Sequence, residues 1–266
     1  MSTDDLLEAV EVDEAVEVDE AIVVDEAVES AHMKERPDEK GIYHWSRPDE
    51  FPDKLMKYWY QRFKIWEHYD KGVWMTENAW FEVTPEPIAN KIAAHIGESV
   101  PKEKNIVVDA FSGVGGNAIA FARSGKWKQV FAIEKDPKAM KCAKHNAKVY
   151  GVENKIVFIT GDCFDVISRR FAGVDNVVIF ASPPWGGIEY GAKEVFDLSK
   201  MQPYNLEKLY EGFLPFSKHL VFYLPRNSDL NQIARYAGAD KKLEVAHYAI
   251  QGASKVLCAY LGDFDF

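Results

Sequence analysis

Three carboxylates in this sequence close three successive apolar runs. Asp109 ends NIVVD, Glu134 ends QVFAIE, and Asp162 follows KIVFIT after a single glycine. Between the first two lies the cluster Ser112-Gly113-Val114-Gly115-Gly116, which leads into NAIAFARSG, a stretch with helical spacing. A strand ending in an acid, then a glycine-rich turn, then a helix is how a doubly wound sheet presents a nucleotide-like ligand at the carboxyl ends of its strands. Gly113 and Gly115 allow close backbone approach, and the positive end of the helix favours the ligand's carboxylate or phosphate. The cluster lacks the G-x-G-x-x-G spacing of dinucleotide sites. Glu134, 21 positions past Gly113, stands where an acid accepts both hydroxyls of a ribose, and Asp162 where one meets an adenine amine. Each acid alone is as readily a turn cap, but three gathered at one sheet edge repel one another unless something binds them.

A fourth apolar run, DNVVIFA, leads into Ser182-Pro183-Pro184-Trp185-Gly186-Gly187, the most specific stretch in the chain. Two consecutive prolines remove two donors and stiffen the turn, holding their carbonyls and the next side chain at the mouth of the crevice. Such a turn suits transfer to an exocyclic amine, whose lone pair is delocalised into its ring. Acceptors on the two amine hydrogens, the Ser182 hydroxyl and the Pro183 carbonyl, favour the geometry that frees it. Trp185 offers a face on which a base can stack, worth about 1–3 kcal/mol. Gly186 and Gly187 leave room for the ring. The competing reading is a surface turn carrying a core tryptophan.

The elements that must position these residues follow from the pattern. From residue 101 to 266, strand-like runs alternate with helical stretches, which indicates a parallel α/β sheet covered on both faces. The last two runs, KLEVAHYAI and SKVLCAYLG, joined by a short QGA turn, are expected to form an antiparallel edge hairpin. Residues 54–100 read as a helical extension. Within it, Leu55, Tyr58 or Trp59, Arg62 or Phe63, and Trp66 space like one amphipathic helix with basic residues between the aromatics. A second helix is expected to start at Thr84 as cap, with Pro85 first and Glu86 in the first turn. Residues 31–53, rich in Pro and charge, read as a linker.

Charge separates the remaining segment. The 266 residues carry a net charge of −10, which taken whole argues against a nucleic-acid partner. Residues 1–30, however, hold 12 acidic side chains and no basic one, leaving 32 basic against 30 acidic elsewhere. From Ala9 they repeat AVEVDE, AVEVDE, AIVVDE, a period of six that matches no helical face. This segment is expected to be a disordered acidic tail: a solvating tail, a decoy for the protein's own basic surface, or a site for a basic protein partner. No run approaches a membrane span and no basic signal-peptide start is present, so a soluble intracellular protein is expected. Cys142, Cys163 and Cys258 are widely spaced and odd in number, fitting neither a disulfide framework nor a zinc cluster. Buried thiols and no metal are the expectation.

The stretches VVDAFSGVGGNAIAFA, VFAIEKDP, FITGD and SPPWGG, with KYWYQRF, AWFEVTPEPIA and LPRNSDLNQIA, resemble the trimethylguanosine synthase family of class I S-adenosylmethionine-dependent methyltransferases over about residues 55–266. The resemblance implies a Rossmann-like fold, with a mostly parallel seven-stranded sheet, an antiparallel edge hairpin and a helical extension covering cofactor and substrate. It implies transfer of two methyl groups from S-adenosylmethionine to the exocyclic amine of 7-methylguanosine caps on small nuclear and nucleolar RNAs, giving 2,2,7-trimethylguanosine and S-adenosylhomocysteine. Carried over, Asp109, Gly113 and Gly115 lie beside the cofactor, Glu134 takes its ribose, Asp162 its adenine, and Thr84 its methionine end. Ser182, between the two ligands, Pro183 and Trp185 hold the guanine, while Arg226, Asn227, Lys57 and Arg62 meet the cap phosphates. A second face for the cationic base would come from Trp59, Trp66, Trp74, Trp80 or Phe81. The resemblance also implies a monomer working in the nucleus, nucleolus included, with the cytoplasm as a second location. Glu134 replaces the family's usual Asp, Ser112 a common Cys, and Ile188 the Pro after WGG. Two rivals remain at this point: another nucleic-acid amino methyltransferase, acting on adenine or on guanine in structured RNA, and a cap-binding adaptor without catalysis.

Overall fold

A computed structural model describes residues 7–11, 37–186, 194–237 and 243–266. Most of the acidic tail, residues 31–36, Gly187 and Ile188 lie outside the described residues. The chain folds as one eight-stranded sheet in the order β1-β7-β8-β6-β5-β2-β3-β4. Its strands are β1 (Leu7–Glu11), β2 (Ile106–Asp109), β3 (Gln129–Glu134), β4 (Ile156–Thr160), β5 (Val177–Ala181), β6 (His219–Pro225), β7 (Leu243–Ile250) and β8 (Ala253–Leu261). Strands β2 to β6 pair in parallel, and β8 runs antiparallel between β6 and β7, as the final hairpin pattern predicts.

Two-sided burial explains why the strands read as continuous apolar runs. Val107, Val178, Val221 and Ala246 face one core, while their neighbours Val108, Ile179, Leu220 and Val245 face the other. The first core is covered by α4 (Glu86–Ser99), α5 (Gly116–Arg123) and α6 (Pro137–Val149), and the second by α7 (Cys163–Arg170), α8 (Leu206–Phe213) and α9 (Leu230–Ala234). Helix α4 buries Ile88, Ala89, Ile92, Ala93 and Ile96, one stripe at three- and four-residue spacing. Helix α6 starts where Asp136 accepts a hydrogen bond from the Lys138 amide and Pro137 takes the first turn. All three cysteines are free and buried, and burial pushes the thiols of Cys142 and Cys163 up to about 12.

Four expectations are corrected. Five residues of the acidic segment, β1, pair in parallel with β7 from Leu7↔Leu243 to Glu11↔His247, adding an eighth strand where disorder was expected. The alternating pattern suits a strand, and β7 offers an unpaired edge. Residues 37–53 are packed structure and no linker: Ile42, Trp45 and Phe51 are buried, and Tyr43 bridges Met75. The expected helix over residues 54–72 is two short helices, α1 (Met56–Trp59) and α2 (Arg62–Ile65), followed by a 3-10 turn. Leu55, Trp59, Ile65 and Trp66 all turn inward, as one stripe would, but the backbone breaks at Gln61, whose φ of −106° and ψ of 2° leave the helical region. Finally, α4 begins at Glu86 with Pro85 at its cap, and the Thr84 hydroxyl caps nothing.

Candidate active site

The glycine cluster forms the turn between β2 and α5. Gly113 and Gly115 adopt φ of +51° and +98°, left-handed values that glycine takes without strain. A Cβ on Gly115 would sit 3.2 Å from Ala143, so α6 packs directly on this turn, whereas a Cβ on Gly113 would meet nothing within 4 Å. The turn is therefore closed beneath and open above. Glu134, at the end of β3, ties down both sides of the opening: its Oε2 accepts from the Gly113 amide and its Oε1 from the Asp136 amide, each at 2.8 Å. Two amide bonds orient the carboxylate and leave lone pairs for a diol.

Asp162 acts as a helix cap and holds a second partner. Its Oδ1 caps α7 through the Phe164 amide at 3.0 Å, and its Oδ2 accepts from the Tyr204 hydroxyl at 3.1 Å. Tyr204 meets the rings of Phe111 at 6.3 Å and Phe164 at 5.1 Å, so three aromatic rings flank this acid. Sequence reasoning missed these rings, because their only signal is the position of Phe111 and Phe164 just beyond strands that end in acids.

Asp109 is fully buried, and neither carboxylate oxygen has a hydrogen-bond partner among the described residues. Desolvation, with the charge of Glu134 adding to it, pushes its carboxyl up to about 8, while the nearby amides of Phe111 and Ala118 pull the other way. The Ser112 hydroxyl and Asn117 Oδ1, on the same turn and helix, are also buried without partners. Four such polar atoms thus gather at one loop among the described residues.

The extension closes over this loop through buried polar contacts. The Thr84 hydroxyl accepts from Asn117 Nδ2 at 3.0 Å, and a Cβ on Gly116 would meet Val83 at 3.2 Å. Glu86 accepts from the Glu67 amide at 2.8 Å, the Tyr150 hydroxyl at 2.5 Å and the Arg123 guanidinium at 2.5 Å. Asn146, fully buried on α6, exchanges two hydrogen bonds with the Trp74 backbone and donates to the Val114 carbonyl of the glycine turn at 2.9 Å. Thr84 and Glu86 thus tie the extension to α5, and Asn146 ties both the extension and the glycine turn to α6. Glu82, at the end of α3 (Ala79–Glu82), lies near Glu134 and Asp136. Partial desolvation and then those two charges raise its carboxyl above the ordinary range. None of Glu82, Asn146 and Tyr150 was singled out from the sequence.

The second half of the crevice starts where β5 ends. Ser182 is half-buried and makes no hydrogen bond to a described residue, and Pro183 is buried. Trp185 packs against both cores, donates its indole N–H to the Tyr223 carbonyl at 3.3 Å, and stacks on the Tyr223 ring at 5.6 Å and 19°. One face of the indole is therefore backed by protein. Of the five candidates for an opposing face, Trp59, Trp66, Trp74 and Trp80 are core residues, while Phe81 keeps 37% of its surface exposed. Arg226 is exposed and donates to the Ser254 carbonyl at 3.2 Å, and Asn227 is half-buried on the same turn after β6. Lys57 lies over the Tyr58 ring at 4.8 Å, and Arg62 lies over Trp59 and Phe63 at 4.1 and 4.4 Å. These contacts hold both cations on the extension.

Comparison with known proteins then separates the readings of this crevice. The family model for RNA cap guanine-N2 methyltransferases matches residues 104–264. This chain belongs to that family. It is 36% identical to the trimethylguanosine synthase of Schizosaccharomyces pombe over 211 residues, 79% of this chain and 86% of that protein. It is likewise 36% identical to the trimethylguanosine synthase of Saccharomyces cerevisiae over 220 residues, 80% of this chain and 69% of that one. A crystal structure of a candidate methyltransferase from Porphyromonas gingivalis W83 superposes with a TM-score of 0.61 at 19% identity, covering 83% of this chain and 55% of that one, which speaks to the fold alone.

As a member of the cap guanine-N2 methyltransferases, the chain uses S-adenosylmethionine as methyl donor. The loop fits that ligand. The space above Gly113 is free, the Glu134 carboxylate is oriented with acceptor capacity to spare, and the buried Asp109 carboxyl has oxygens without a hydrogen-bond partner among the described residues, which a ligand can satisfy. Rings beside Asp162 suit an adenine.

Proposed function

We propose that this protein transfers two methyl groups to the exocyclic amine of 7-methylguanosine caps on small nuclear and nucleolar RNAs, giving 2,2,7-trimethylguanosine, and that it works as a monomer in the nucleus and nucleolus. The observation that carries the reading is Trp185. Its indole is fixed by Tyr223 through both its N–H and one face, at the end of the strand beside β2. A preset ring of this kind stacks a base at little entropic cost, and it prefers the cationic 7-methylguanine over neutral guanine through cation–π attraction.

When bound, S-adenosylmethionine supplies an activated sulfonium methyl, so the chain's task is alignment and exclusion of water. Glu134 accepts the ribose hydroxyls, Asp162 the adenine amine, and Gly113, Gly115 and Thr84 border the methionine end. Ser182 and the Pro183 carbonyl accept the two hydrogens of the guanine amine and turn its lone pair out of conjugation. Phe81 supplies the second face of the base. Arg226, Asn227, Lys57 and Arg62 take the cap phosphates. The amine sheds its proton after attack, so no strong base is needed. The test is incubation with 7-methylguanosine triphosphate and the donor, with products read by mass. Products carrying one and then two added methyl groups are expected, and binding of the cap without any product would instead identify an adaptor.

A further inference from the structure

Residues 54–66 read KLMKYWYQRFKIW, with four basic side chains and no acidic one. Burying Leu55, Trp59, Ile65 and Trp66 turns the rest of this stretch outward: Tyr60 is 77% exposed and Phe63 49%. The two rings stand one turn apart in sequence where α1 meets α2, and Tyr60 keeps helical backbone angles. Tyr60 makes no side-chain hydrogen bond and no ring contact with a described residue, so no contact among the described residues accounts for an aromatic there. Arg62 lies over the rings of Trp59 and Phe63, with its Nη1 donating to the Trp59 carbonyl at 2.9 Å. Lys54 pairs with Glu77, but Lys57, Arg62 and Lys64 have no carboxylate partner among the described residues. The patch is continuous with the rim of the crevice. Tyr58 meets Phe81 edge-on at 5.4 Å, and Phe81 adjoins Glu82, which lies near Glu134.

Exposed rings interleaved with unpaired cations are what single-stranded nucleic acid recognises, since bases stack on the rings and phosphates pair with the cations. We propose that Tyr60 and Phe63, with Lys64, form a stacking platform for the nucleotides that follow the cap, next to Arg62 at the cap phosphates. The inference rests on the proposed cap substrate and assigns the RNA body a path that the cap pocket itself does not require. The acidic segment of residues 1–30 is the other polyanion at hand. It would answer the charges, but it contains no aromatic residue and no base to cover the rings.

The test is steady-state kinetics of the full chain on two substrates, 7-methylguanosine triphosphate and a single-stranded RNA of about ten nucleotides bearing the same cap. Tyr60→Ala raises KM for the capped RNA about 5-fold, the low end of what losing a base stack removes, and leaves kcat and the KM of the triphosphate unchanged. Tyr60→Trp restores the parent value. An unchanged KM for the RNA, or an equal rise on both substrates, overturns the proposal. A lowered KM for the RNA also overturns it, by showing that the acidic segment occupies the patch. If the parent protein methylates neither substrate, the cap reading fails before the platform is tested.

Discussion

In the half of the crevice built from β2, β3 and β4, carboxylates are held close to their own strand ends. Glu134 takes the Asp136 amide and Asp162 the Phe164 amide, each two residues on. Trp185 is held instead by Tyr223, 38 residues away, and the ring proposed to face it comes from the extension. Each acid also takes one distant partner, Gly113 for Glu134 and Tyr204 for Asp162, so the cofactor half combines local turns with tertiary ties, while Trp185 is held by a tertiary contact. Damage to the cofactor half should act on donor affinity, while damage to the substrate half should act on turnover and leave donor affinity alone. The Glu86 and Asn146 links join the two, because Glu86 ties the extension to the end of α5 and Asn146 ties it to the glycine turn.

The largest expected effect lies in the substrate half. Trp185→Ala should lower kcat/KM for 7-methylguanosine caps about 100-fold, roughly 2.7 kcal/mol, while calorimetry finds S-adenosylhomocysteine bound within about 2-fold of the parent. A matching loss of donor affinity would break the division. Glu86→Ala crosses it. Removing this carboxylate leaves Arg123, Tyr150 and the Glu67 amide unpaired, and should cost about 3 kcal/mol in urea unfolding and weaken S-adenosylhomocysteine as well, because α5 loses its tie to the extension. Unchanged donor affinity would confine Glu86 to stability.

Two further effects probe the cofactor half alone. The Asp109 carboxyl titrates near 8 in the fold against 3.8 as its ordinary value, so between those pH values the folded chain holds a proton that the unfolded chain releases. Stability therefore falls as pH rises through that window, by up to about 1.4 kcal/mol per pH unit. Asp109→Asn should flatten the profile in denaturant titrations at several pH values, and an identical slope would show that the carboxylate is already ionised. Gly113→Ala should cost about 1 kcal/mol for the left-handed backbone and should weaken donor binding, since the added methyl enters the open space above the turn. Unaltered binding would mean that the ligand approaches elsewhere.

The same division governs how much was legible in the sequence. Strands buried on both faces betray themselves as apolar runs, and Asp109, Glu134 and Asp162 closed those runs, so the sheet, the hairpin and the three acids could be read directly. Residues 37–53 could not, because their prolines and charges mask Ile42, Trp45 and Phe51, whose burial depends on partners far along the chain. The two-helix form of residues 56–65 was hidden because Leu55, Trp59 and Trp66 keep the spacing of one stripe across the backbone break at Gln61. Glu86 read as a first-turn acid complementing the helix dipole, which concealed its tertiary partners. Thr84 matched a cap by type, yet its hydroxyl went to Asn117 on another helix.

The central claim is that the substrate half reads a cationic base by stacking, and the most direct measurement is the ratio of kcat/KM for a 7-methylguanosine cap to that for an unmethylated guanosine cap, in the parent and in Trp185→Phe. The parent should favour the methylated cap at least about 10-fold, or roughly 1.4 kcal/mol, and the smaller, weaker ring of Trp185→Phe should reduce that preference. Equal rates on both caps in the parent protein would contradict the account.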